Sequence, residues 1–197
     1  MKIWTSLGMA ALALVACDGP NNPDGNESVA GVDTGPNTNV NVQAAGTAPL
    51  IRTGDEFVQV ASASDRFEIE SSRLALEKAS RADVKRYAQM MIDEHTASSN
   101  ELRTVAGALT PPLVPKAQFN AKQTADMSNL QGTPAGAAFD GAYLTAQIEG
   151  HTATLAAMRD YRSGGEVTEL KNIAVKMAPI VERHLRDAQL MSANAGG

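Results

Sequence analysis

Apolar and small residues recur every three or four positions along four stretches of this chain, and that period is one face of an α-helix. The first stripe is Phe57, Ala61, Ser64, Glu68, Ser71 and Ala75. It predicts a helix over about 55–79 whose buried face is mostly small. The second is Val84, Ala88, Met91, His95, Ser98, Leu102 and Val105, a helix ending near Ala108. The third, Leu144, Ile148, His151, Leu155 and Met158, predicts a helix over about 137–162. The fourth, Leu170, Ile173, Met177, Ile180, His184 and Met191, covers about 166–191. Residues 116–130 read as a short, frayed helix between the second and third. No strand pattern competes, and the expected fold is all-α, a four-helix bundle.

Breakers and caps separate the stripes. Ser80-Arg-Ala-Asp83 reads as a capping box in which Asp replaces the usual Glu. Pro111, Pro112 and Pro115 end the second helix. Gly164 and Gly165 follow the third and suit a left-handed C-cap. Pro179 lies inside the fourth, where a kink is expected. An up-down-up-down order is the simplest arrangement. The connection between the second and third helices is long enough to span the bundle, but its prolines and short helix suit a folded cap equally well.

Every histidine of the chain, His95, His151 and His184, falls on a stripe of a different helix, and Glu68 does so on the remaining one. Two segments echo each other: Tyr87 to His95 and Tyr143 to His151 both place Tyr eight before His, Ile three before and an acid two before. One ligand per helix facing the interior is how four-helix proteins build metal sites, and imidazole with carboxylate suits zinc, iron, copper or manganese. The competing reading is a set of core histidines hydrogen-bonded to carbonyls or carboxylates. Asp93, Glu149 and Glu182 stand two residues before each His, about 200° around the helix, so each points away from its own His. They are free to pair with a base on another helix or to orient a histidine from one. Counted from the predicted turns, Glu68, His95 and His151 lie within about 5 Å of one level, whereas His184 falls about 8–12 Å lower. A ligand distance is about 2.1 Å, so Glu68, His95 and His151 form the better trio and His184 the weakest candidate. Met91, Met158 and Met177 share the stripes, and plastic core filler is the favoured reading over a soft Cu(I) site.

Composition changes the picture at the N-terminus. Lys2 precedes an apolar run, Ile3 to Ala16, too short to span a bilayer comfortably and ending in Leu14-Val15-Ala16-Cys17. That ending resembles the lipobox of bacterial lipoproteins, with the sole cysteine as the acylated residue. Residues 1–16 are then a signal peptide, and 17–53 a lipidated Cys17 and a disordered linker rich in Gly, Pro, Asn and Asp, with a reach of about 30–35 Å. Residues 54–193 form the helical domain and 194–197 a flexible tail. The expected location is the cell envelope, periplasmic side, anchored to the inner or outer membrane through Cys17. Asp18 resembles the signal that retains enteric lipoproteins at the inner membrane, a rule that does not carry over to all bacteria. Net charge is −5 with acids and bases interspersed, so a nucleic-acid partner is not expected.

The segments Phe67-Glu68-Ile69-Glu70-Ser71, Ala88-Gln89-Met90-Met91-Ile92-Asp93, His95, Phe139-Asp140, Tyr143, His151, and Pro179 followed by His184-Leu185 stand in an order and spacing that cover nearly the whole helical region. Through them the chain resembles the bacterial family called domain of unknown function 4142 (DUF4142), a ferritin-like group commonly labelled as outer-membrane proteins. The resemblance implies a ferritin-like four-helix bundle and an envelope location, and supplies no activity. It departs from di-iron ferritin-like proteins, which carry Glu-x-x-His on two helices. The residues three before the histidines here are Ile92, Ile148 and Val181, so oxidase or iron-storage chemistry is not inherited.

No Ser, Cys or phosphate-loop signature points to an enzyme, and the balance leans away from one. The leading expectation is a lipid-anchored, non-enzymatic envelope module acting through a protein partner, in stress tolerance for example. The alternative is a bundle that binds a divalent transition metal through Glu68, His95 and His151.

Overall fold

The computed structural model describes residues 50–194, so the signal peptide, Cys17, most of the linker and the last three residues lie outside the described residues. The described residues form five helices: α1 Gly54–Lys78, α2 Ala82–Ala108, α3 Ala121–Gly132, α4 Ala137–Gly164 and α5 Thr168–Ala193. There is no strand among the described residues. The long helices α1, α2, α4 and α5 make the bundle, with α1 against α2 and α4, and α5 against α4 and α2. No helix among the described residues is long and apolar enough to cross a membrane.

Local chemistry sets the helix ends. Thr53 caps α1: its hydroxyl accepts from Glu56 N, and the Glu56 carboxylate accepts from Thr53 N, a complete capping box. The box expected at Ser80 does not form. Arg81 is the N-cap of α2 without a side-chain bond. Ser80 N (3.0 Å), Ser80 Oγ (2.5 Å) and Arg81 N (3.2 Å) all donate instead to the buried Asp140 carboxylate in the first turn of α4. A tertiary acceptor has displaced the local one. Gly165 closes α4 in an extended rather than left-handed conformation (φ −67°, ψ 151°). Its glycine is required by packing: a Cβ there would lie 2.6 Å from the Tyr161 ring. Helix α5 continues through Pro179.

Inter-helix bonds fix the topology. Ser64 meets Thr154 and Ser72 meets Tyr143, so α4 runs antiparallel to α1. Lys176 meets Glu101 and the Tyr87 hydroxyl meets His184 O, so α5 runs antiparallel to α2. Helices α2 and α4 therefore point the same way, and the simple up-down-up-down order is not the one adopted. The α2–α4 connection is a bundle-spanning crossover. It climbs along α1, where Gln59 bonds Val114 O, Arg66 bonds Ala117 O and Lys78 bonds Leu130 O, and reaches the far end where Gly136 N donates to Lys78 O. One long crossover is the connectivity of ferritin-like bundles.

The core is divided. One apolar cluster centres on Phe57, Leu102, Leu155, Tyr161 and Leu170. The other centres on Phe67, Tyr87, Met91, Phe139 and Tyr143. Between them lies a buried polar layer that includes Asp65, Glu68, Ser71, His95, Gln147, His151, Thr154 and His184.

Candidate metal centre

The three histidines meet in that polar layer. One ring nitrogen from each lies within 4.8 Å of the others. Ring centroids are 5.7 Å apart for His95–His151, 5.4 Å for His95–His184 and 5.3 Å for His151–His184. His184 thus sits beside His151, with His151 Nε2 and His184 Nδ1 3.3 Å apart, and the expected depth offset is corrected. Residues 165–167 are loop rather than helix. Counted from the true ends, His151 is 13 residues before Gly164 and His184 is 16 after Thr168, an axial difference of about 4.5 Å. Side chains lean toward their own helix N-terminus. In this antiparallel pair the two lean toward each other and close the remainder.

Every outer nitrogen faces an acceptor. His95 Nδ1 lies 2.8 Å from Asp65 Oδ1, His151 Nδ1 2.8 Å from the Gln147 carbonyl, and His184 Nε2 2.9 Å from Glu94 Oε2. Ionised carboxylates and carbonyls only accept, so His95 Nδ1 and His151 Nδ1 carry the N–H. His184 Nε2 also has the Arg183 guanidinium at 3.3 Å, but that group bonds the same Glu94 oxygen, and the nearer carboxylate assigns the N–H to Nε2. In the neutral rings that leaves His95 Nε2, His151 Nε2 and His184 Nδ1 as lone pairs directed into one space. His95 Nε2 is buried with no hydrogen-bond partner. At 3.3 Å the His151 and His184 nitrogens either share a proton in a hydrogen bond or, with both as lone pairs, suit a cation held between them. A metal about 2.0–2.1 Å from each of three nitrogens needs them about 3.3–3.6 Å apart. His151 and His184 meet this, and His95, whose nitrogen lies within 4.8 Å of theirs, would move inward to complete the set.

Electrostatics favour the same protonation at two of the rings. Burial first, and then the nearby His95, depress His151 to about 3. Burial and His95 likewise depress His184 to about 4, against the opposing pull of Glu94. His95 differs: burial works against its charge, but the Asp65 hydrogen bond and the carboxylates of Asp65, Glu68 and Glu94 outweigh it and raise its pKa. A second proton on His95 would sit on Nε2, where no acceptor waits, so an incoming cation competes for that lone pair.

Glu68 is buried in the same layer but on the other side of His151. Its Oε2 accepts from Gln147 Nε2 at 2.5 Å, and its Oε1 lies 3.7 Å from His151 Nδ1, the nitrogen turned away from the cluster. The trio brought together is His95, His151 and His184, not Glu68, His95 and His151. Burial raises Glu68 to about 7, with His95 and the Gln147 bond pulling the other way.

Asp65 and Glu94 carry no mark in the sequence pattern, because their partners come from other helices. Asp65 lies one turn before Glu68, and Glu94 is simply the residue before His95. The acids two before each histidine serve the surface instead: Asp93 accepts from Gln89, Glu149 pairs with Lys122 and Glu182 with Arg159. Beside the histidines a cavity of about 200 Å³ is lined by Glu94, His95, Met158, Met177, Val181 and His184 among others.

The family model described as "Domain of unknown function (DUF4142)" matches residues 40–191. No curated protein matches the chain by sequence. Among solved structures, CopM in the Cu(II)-bound form is similar with a TM-score of 0.62 and 16% identity, covering 73% of this chain and 99% of CopM. CopM in the Cu(I)-bound form gives 0.62 and 16%, covering 75% and 100%. The Ag-bound form gives 0.59 and 16%, covering 75% and 100%. At that identity the likeness is one of fold. With the family model matched over most of its length, the chain belongs to the DUF4142 family.

Proposed function

We propose that this DUF4142 protein is a metal-binding bundle that holds one transition-metal ion on His95, His151 and His184. The observation that carries the reading is the convergence of three imidazole lone pairs whose outer N–H groups are all held by acceptors. Such outer partners fix ring orientation and tautomer and raise ligand basicity. Copper is the favoured ion. Imidazole suits it, the thioether side chains of Met158 and Met177 line the adjoining cavity, and the CopM structures of like fold hold copper or silver. Iron through a di-iron carboxylate motif is disfavoured, since no Glu-x-x-His pair exists.

The proposed setting is the cell envelope, with the bundle tethered through a lipid on Cys17. Support comes from Leu14-Val15-Ala16-Cys17 and the polar linker that follows. There a buried single-ion site would serve binding, buffering or delivery of metal rather than turnover.

The test is elemental analysis of the full chain, extracted from membranes without a histidine tag and loaded separately with copper, zinc, iron and manganese. The expected result is one tightly held ion per chain, copper retained most strongly, and its loss in His95→Ala and His184→Ala alike. Retention in His184→Ala would return the site to the Glu68 trio. A protein that holds none of the four ions sinks the metal reading and favours the envelope interaction module. Mass analysis of the same sample reads the anchor, and an unmodified Cys17 removes it.

A further inference from the structure

The buried layer contains a second feature, set against the outer nitrogen of His151 and apart from the three nitrogens that converge. Glu68 is 1% exposed, and its Oε1 has no hydrogen-bond partner although Oε2 is held by Gln147. A buried carboxylate oxygen without a partner is costly unless something donates to it. Glu68 lines a cavity of about 370 Å³ between α1, α4 and the crossover, separate from the one beside the histidines. Directly over Oε1 stands Gly150, which lines the same cavity. A Cβ at Gly150 would lie 3.0 Å from that oxygen, so a side chain there would crowd it from the cavity side. Val60, Ala63, Phe67 and Ala153 form the apolar part of the lining, beside polar side chains such as Gln59 and Asn120. At the rim stand Asp126 and Glu149, both bound by the single Lys122. The lining thus carries three carboxyl groups and one ammonium.

We infer that this cavity is a binding site for a small organic ammonium ion, whose charged head donates to Glu68 Oε1 and whose apolar body rests against Val60, Ala63, Phe67 and Ala153. The size lies within the range of small-molecule pockets, and a mostly apolar wall with one directed polar group is their usual construction. The excess of carboxylates selects a cation over a neutral alcohol or an acid. The site needs no metal and stands whether or not the histidines bind one.

The experiment titrates the full chain, kept in chelator at one mildly alkaline pH, with benzylamine and with its neutral counterpart benzyl alcohol, followed by calorimetry and amide NMR. Benzylamine is expected to bind saturably and to shift the Ala63, Gly150 and Ala153 amides. Benzyl alcohol should bind about tenfold weaker or less, as expected for losing a charged hydrogen bond. Glu68→Gln, which keeps the side-chain shape, should weaken benzylamine by about tenfold or more and abolish its preference over the alcohol. Ala153→Leu, on the cavity wall away from the carboxylate, should weaken both ligands together. Equal binding of amine and alcohol, unchanged affinity in Glu68→Gln, or no saturable shift of those amides would each overturn the inference.

Discussion

At each histidine, two nitrogens have been given different tasks, by a carboxylate from another helix at His95 and His184 and by a carbonyl of its own helix at His151. The outer nitrogen is committed to an acceptor, and the inner one is thereby left basic. Asp65 is the most informative of these neighbours, because it is the carboxylate that holds the ring whose Nε2 has no partner. Replacing Asp65 by Asn keeps the volume and removes the charge. Metal affinity is expected to fall by about 10–100-fold, the usual effect of losing an outer partner of a ligating histidine. Asp93→Asn is the control, since Asp93 accepts only from Gln89 at the surface and should leave affinity unchanged. Competition with a chelator of known affinity reads both variants. Equal losses in the two, or none in Asp65→Asn, would remove Asp65 from the site.

Among the elements, helix boundaries were legible to within a few residues, because apolar periodicity and breakers such as Pro111 and Gly164 act locally. What the periodicity could not carry was direction across the long connection. A crossover and a folded cap bury the same stripe of α4. The choice is made by contacts such as Arg66 with Ala117 O and Gly136 N with Lys78 O, which join residues far apart in sequence. The histidines were legible as inward-facing for the same local reason, but their partners were not. His184 was misplaced by counting loop residues as helical rise and by neglecting the lean of side chains. Asp140 illustrates the tertiary override. It takes the Ser80 hydroxyl and two backbone N–H groups of the α1–α2 turn, so one buried carboxylate ties the start of α4 to that turn. Asp140→Ala would orphan those donors and is expected to lower stability by about 2–3 kcal/mol, read by urea unfolding. A loss within experimental scatter would mean that water replaces the carboxylate at no cost.

For the whole molecule, the polar layer makes stability a function of pH, and its groups pull in opposite directions. His151 and His184 are depressed from 6.5 to about 3 and about 4. In acid the unfolded chain takes up their protons before the folded one does, so their contribution is present above about pH 6.5 and is lost as pH falls toward those folded values. Glu68 is raised from 4.5 to about 7. Its contribution is complete below about pH 4.5 and is lost as pH rises through 7. His95 is raised above 6.5, so its contribution is present below that value and disappears only on the alkaline side. Between about pH 6.5 and 4.5 two histidines therefore oppose one carboxylate, and the metal-free protein should lose stability on acidification. Below that window Glu68 has nothing more to give, and the decline should steepen. Glu68→Gln removes the opposing group, so its melting temperature should fall more steeply than the wild type's across the same window. Scanning calorimetry in chelator at several pH values checks both curves. A wild-type curve that rises on acidification would mean that the layer does not hold His151 and His184 neutral, and the lone pairs that a metal needs would be occupied by protons. A Glu68→Gln curve parallel to the wild type's would mean that Glu68 takes up no proton in that window.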